Sequence, residues 1–188
     1  MNNIFLVLVC VFVSFDILAQ VARQKDSHEH GAAKLMMAME GKKLQVEFEV
    51  PSESLIGFEH LPKSQSNRKN FNEAIKNLSD PSKLFSMPNK AECLLVGTNV
   101  SQSLFSNEED HGHDDEDGHD ESEKSEIHSE FKSNYYWNCQ HLDEIDSIGT
   151  ELMSLFPRIE EIRVNCISNY GQGSLELESK DDRIKGWK

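Results

Sequence analysis

The chain has 188 residues, 37% of them hydrophobic, which suits one domain with a modest core and excludes two comfortable ones. Lys and Arg number 19 against 33 Asp and Glu, a net charge of −14, and so acidic a chain repels phosphate backbones, which argues against nucleic-acid binding. Beyond the leader no apolar run approaches the ~20 residues that a membrane-spanning helix needs, so a polytopic membrane protein is excluded.

Residues 4–15 (IFLVLVCVFVSF) are almost continuously apolar, the length of a signal h-region and too short to span a bilayer. Ile17 and Ala19 offer a cleavage site before Gln20, so residues 1–19 are expected to leave as a signal peptide, and no membrane span remains afterwards. Export alters the reading of the cysteines. Cys10 departs with the leader, and Cys93, Cys139 and Cys166 remain for an oxidising compartment, where one disulfide and one leftover thiol are expected. Three pairings exist. Cys93–Cys139 is favoured, because each lies on an expected strand flanking an acidic tract and the bond would close the base of that tract. Cys166 alternates with Ile162 and Val164 and reads as a small buried hydrophobe.

Near the mature N-terminus stands His28-Glu29-His30-Gly31, an HxH pair that suits a metal ion or a plain polar arm. Residues 33–50 read as a hairpin, with Leu35, Met37 and Met39 alternating before a Glu40-Gly41-Lys42 turn and Leu44, Val46, Phe48 and Val50 alternating after it. Pro51 ends the pairing, and residues 52–56 make a short turn of helix before Gly57. His60 follows in GFEH; a lone histidine of this kind is more often structural than a ligand. A helix is expected over residues 66–78, with Phe71, Ala74, Ile75 and Leu78 on one face. Asp80-Pro81 then starts a shorter one through Leu84 and Phe85. Residues 91–100 read as a strand.

The tract at 106–126 contains no apolar residue, and within it residues 108–126 hold eleven acids and one Lys, −10 of the total charge. It reads as a long disordered loop, too charged to fold unaided. His111, His113 and His119 lie inside it, and His128 opens the strand expected to leave it. Imidazole nitrogen is the preferred neutral ligand for Zn(II), Cu(II) and Ni(II), whereas carboxylates alone prefer harder ions. The alternative is a solubilising loop whose histidines are incidental. An EF-hand fails: anchored on Gly118, the pattern places His113, Asp115 and Asp117 at the first ligand positions but Lys124 where the final Glu belongs.

From 127 to 139 the odd positions form one set, Ile127, Ser129, Phe131, Ser133, Tyr135, Trp137 and Cys139, a long half-buried strand. His141, beside Cys139, takes no role. Ile148, Leu152 and Leu155 suit a helix ended by Pro157, residues 162–167 a strand, NYGQG a turn, and Leu175 and Leu177 a last strand. Hairpins mixed with helices predict an α+β fold, an antiparallel sheet with helices packed on one face. No HExxH, GxSxG, P-loop or GxGxxG occurs, so a non-enzymatic protein is expected.

Taken in order, these pieces resemble the ZrgA-like family of periplasmic zinc-binding proteins associated with bacterial zinc importers. The matching pieces are HEHG at 28–31, GFEHLPK at 57–63, LF at 84–85, AECLL around Cys93 and the His/Asp tract at 110–120. HSEF at 128–131, LFPRIEEIRV at 155–164 and GQG at 171–173 complete the set. The resemblance implies one zinc-binding domain over residues 27–178, with the loop 106–126 inserted and a tail at 179–188. It also implies a periplasmic protein that binds Zn(II) and buffers it or delivers it to an ABC importer. Carried over by motif, the candidate ligands are His28, His30, His60 and His128, with His111, His113 and His119 as a looser set. This tract is poorer in histidine and richer in acids than the family pattern. Two other functions stay open: an acidic-loop interaction module in which metal is incidental, and a copper- or nickel-binding periplasmic protein, since nitrogen sites favour Cu(II) over Zn(II).

Overall fold

Strand alternation builds the frame. In the computed structural model, which describes residues 30–105 and 128–187, β1 (Ala32–Glu40) and β2 (Lys43–Pro51) pair antiparallel as the expected hairpin. Gly41 turns it at φ +60°, a left-handed backbone that side chains with a Cβ rarely adopt. β2 pairs on its other edge with β5 (Glu130–Cys139), and β5 with β4 (Cys93–Gln102), both antiparallel. Beyond β1 lie β7 (Glu161–Ser168) and β8 (Gly171–Leu177), giving the sheet order β4-β5-β2-β1-β7-β8.

One ladder departs from expectation. β1 and β7 run parallel, so the sheet is mixed and not wholly antiparallel, within the α+β class that the sequence predicts. Apolar alternation fixes which face a strand buries but says nothing of its direction. Direction is set where the chain enters β7: the Glu160 and Glu161 N–H groups both donate to Gly31 O, at 2.8 and 3.1 Å. β7 therefore starts beside the start of β1 and runs with it.

Helices cover one face. α1 (Ser52–Ile56) follows β2 directly, and α2 (Gln65–Leu78) buries Ala74 and Leu78 against the sheet. Ser64 caps α2, its Oγ accepting from the Asn67 N–H at 3.0 Å. α3 (Pro81–Leu84) is shorter than expected, because Phe85 already belongs to a two-residue strand, β3 (Phe85–Ser86). With β6 (Ile148–Thr150) and β9 (Arg183–Ile184) it makes a second sheet in the order β3-β6-β9. Ile148, expected on a helix with Leu152 and Leu155, is a strand residue, and α4 (Leu152–Leu155) is a single turn. Three apolar residues at 148, 152 and 155 fit a helix or a strand-plus-turn equally, and pairing with Ile184 decides for the latter.

The core lies between the large sheet and these covering elements. Leu35, Phe48, Phe131, Tyr135 and Ile162 come from the sheet, and Leu78, Leu84, Ile148, Leu152 and Ile184 from above it, all fully buried. Each such side chain contributes about 1.5–3 kcal/mol by leaving water. Phe85 packs edge-on against Tyr135 and Trp137 at centroid distances of 5.5 and 5.9 Å, and Tyr135 donates its hydroxyl to Leu78 O at 2.8 Å. The opposite face of the sheet is mostly polar, with Lys132 bridging to Glu47 and Glu49, and it also exposes Met36, Tyr136 and Ile167. Among the described residues no helix is long and apolar enough to cross a membrane.

Candidate metal-binding site at one end of the sheet

The β4–β5 ladder runs from Cys93↔Cys139 to Gln102↔Phe131. Past that last pair, Ser103 N–H donates to Glu130 O at 3.0 Å and Glu130 N–H to Ser103 Oγ at 2.9 Å. Those two bonds hold together the points from which the acidic tract departs. The same end of the sheet receives the close of β2, since Pro51 pairs with Glu130, and the start of β1, since Gly31 N–H donates to Ser54 Oγ at 2.9 Å. α1 therefore sits between the approach to β1 and the approach to β5.

Three expected histidines lie at this end. His30 precedes β1, and its Nδ1 lies 4.0 Å from Glu53 Oε2 on α1; Glu53 Oε1 is in turn 3.8 Å from the Arg158 guanidinium. His128 lies two residues before β5, not on it as expected, and its Nδ1 is 3.7 Å from Glu59 Oε2. Ser129 fixes its neighbourhood, with its carbonyl accepting from Ser52 N–H at 2.8 Å and its hydroxyl donating to Glu59 O at 3.4 Å. The turn that carries Glu59 and His60 back toward β5 depends on Gly57, which ends α1 at φ +86° and donates its N–H to Glu53 O.

His60 is held differently. Its ring stacks on Phe58 at 5.0 Å, and Nδ1 bonds to Leu61 O at 2.9 Å. A carbonyl only accepts, so Nδ1 is the donor, and a metal-binding histidine is commonly oriented in this way by its other nitrogen. Next to it a cavity of about 410 Å³ is lined by Leu61, Pro62, Arg68, Phe71, Asn72 and Phe105.

The three histidines share one end of the sheet but do not converge. Each has its own partner, and among the described residues no three His, Cys, Asp or Glu side chains form a common cluster. His28, His111, His113 and His119 lie outside the described residues. His141 is at the other end of the β4–β5 ladder, donating its N–H to Ala91 O.

The expected disulfide is present, Cys93 to Cys139, but it joins the first residue of β4 to the last of β5. It therefore closes the end of the hairpin remote from the tract, not the tract's base. Cys166 is free and buried, and burial pushes its thiol up to about 11. Two carboxylates, Glu53 and Glu59, were missed in the sequence. The signal for Glu59 was its place inside GFEH beside a candidate ligand, since acids commonly hold or complement histidines at metal sites.

A model described as ZrgA family zinc uptake protein matches residues 27–186. No curated protein matches the chain.

Proposed function

The chain belongs to the ZrgA family of zinc uptake proteins, and we propose that it works in the periplasm, binding Zn(II) and buffering it or delivering it to an importer of the ABC type. One observation carries the reading: His30, His60 and His128 are brought by three separate stretches of hydrogen-bonded backbone to the end of the sheet between whose strands the sequence places the His- and Asp-rich tract. Imidazole and carboxylate donors together suit Zn(II), which takes about four N and O ligands at 2.0–2.2 Å. The tract supplies many weak donors, and the ordered histidines supply positioned ones. Nothing in this role requires catalysis, and the protein is read as a carrier, not an enzyme.

The experiment is a zinc titration of the full mature chain against a competing chelator, with metal analysis of protein purified from the periplasm. Zinc is expected on the purified protein, and sequencing of its N-terminus is expected to begin at Gln20. Protein that neither carries zinc nor competes for it overturns the reading. A strain lacking the protein is expected to grow more slowly under zinc starvation and normally in zinc-replete medium.

A further inference from the structure

We propose that Glu59 and His128 form a two-donor Zn(II) subsite on the folded domain, open on two coordination positions, at which an ion is handed over. The proposal rests on the zinc-binding reading and adds to it a carboxylate ligand. Four partly buried carboxylates show how this fold treats such groups: Glu47, Glu49, Glu53 and Glu161 each lie within 4.0 Å of a Lys or Arg. Glu59 is treated otherwise. Its side chain is 19% exposed and its charged neighbour among the described residues is His128, a cation only when protonated. Its Oε1 is buried and has no hydrogen-bond partner there. A carboxylate so placed is costly unless a cation stands beside it. A second buried oxygen without a partner, Ser52 Oγ, belongs to the residue whose N–H bonds the Ser129 carbonyl, while Ser129 Oγ bonds the Glu59 carbonyl.

The spacing suits a shared ion. Tetrahedral zinc with bonds of about 2.0–2.1 Å sets its donors roughly 3.3 Å apart, and Nδ1 of His128 stands 3.7 Å from Oε2 of Glu59. A small side-chain movement closes that gap. His128 is 40% exposed, so an ion reaches it from solvent. With two donors from the domain, two positions stay open. A structural zinc site has all four filled, whereas an ion in transit needs room for the next ligand.

The test uses the full mature chain, chelator-competition titration with Zn(II), and Co(II) absorption as a second probe of coordination. Glu59→Gln keeps the shape and removes the charge. It is expected to weaken one ion of the tightest class by roughly 10–100-fold or more, the range seen when a supporting group is lost from a metal site. Its Co(II) spectrum is expected to lose intensity in the tetrahedral region. Glu49→Gln is the control, because Lys34 and Lys132 on the polar face of the sheet already neutralise that carboxylate, and it is expected to bind as wild type does. His128→Gln alters an exposed side chain and tests the same pair should Glu59→Gln unfold. The double variant is expected to be no weaker than the worse single one, since both remove the same ion. Unchanged affinity and stoichiometry in Glu59→Gln or His128→Gln, with wild type binding zinc, overturns the subsite and leaves the zinc-binding reading intact. Wild type that binds no zinc overturns both.

Discussion

Cys93 and Cys139 are register partners on adjacent antiparallel strands, joined by a disulfide with 3.8 Å between their Cα atoms. The bond lies at one end of the β4–β5 hairpin, and His30, His60 and His128 lie at the other. It thus constrains the chain without touching the candidate site. The loop it closes has a sequence separation of 46, for which chain entropy gives about 4 kcal/mol of stabilisation. Reduction, or replacement of both cysteines by Ser, is expected to lower the unfolding free energy by about that amount in urea melts. Zinc affinity of the molecules that remain folded is expected to stay unchanged. A reduced, folded protein with weakened zinc binding contradicts this separation of roles.

Two buried groups set the alkaline limit of the fold. Burial pushes the Tyr135 hydroxyl up to about 12 and the Cys166 thiol up to about 11, from ordinary values of 10.0 and 9.0. Both are neutral in the folded state at neutral pH, so the folded protein resists a deprotonation that the unfolded chain accepts. Their contribution is complete below pH 9 and is lost as pH rises through 11 and then 12. Urea melts are expected to show constant stability from pH 7 to 8.5 and a fall on the order of 2 kcal/mol or more by pH 11. Iodoacetamide at pH 8 is expected to leave Cys166 unmodified in native protein and to modify it in denaturant, as mass analysis would show.

How much of this was legible depended on the kind of information. Leu35, Met37 and Met39 announced a buried strand face because side chains alternate on a strand whatever its neighbours are. The apolar face of α2, with Phe71, Ala74, Ile75 and Leu78, announced a helix for equally local reasons. The parallel β1–β7 ladder was illegible, because it depends on where Gly31 meets Glu160, 129 residues apart along the chain. The cysteine pair was found, yet its supposed place at the tract was wrong, although the expected strands at 91–100 and 127–139 already put both cysteines at the ends away from 106–126. Glu59 was passed over for a different reason: partial burial beside His128 is a property of the packed turn after Gly57 and not of the residue's neighbours in sequence.

The tract is expected to be dispensable for folding. It brings no apolar side chain to the core, and the strands that flank it are tied by the Ser103–Glu130 hydrogen bonds and by the disulfide at the far end. Deleting 106–126 is expected to leave the thermal midpoint within a few degrees of wild type, while lowering the number of zinc ions bound. A collapsed fold, or an unchanged zinc count, contradicts the division of labour between tract and domain.

The ranking of the histidines gives the last prediction. A ligand on ordered backbone enters coordination with most of its chain entropy already lost, whereas a donor carried on a highly charged segment with nothing apolar to bury loses that freedom on binding. His128 is anchored through Ser129, His60 through its own bond to Leu61 and its stack on Phe58, and His30 beside the Gly31–Ser54 hydrogen bond. Replacing His30, His60 and His128 together by Ala is expected to remove the tightest zinc, with at least a tenfold loss in the highest-affinity step, while the weaker ions remain. Replacing His111, His113 and His119 is expected to do the reverse, lowering the count and sparing the first affinity. Protons compete with zinc for imidazole nitrogen, so acidifying the buffer is expected to weaken both classes together. Isothermal titration in the presence and absence of a chelator separates the steps. If the tract variant loses the tightest ion, the primary site is the tract, and the ordered histidines serve only to steady its ends.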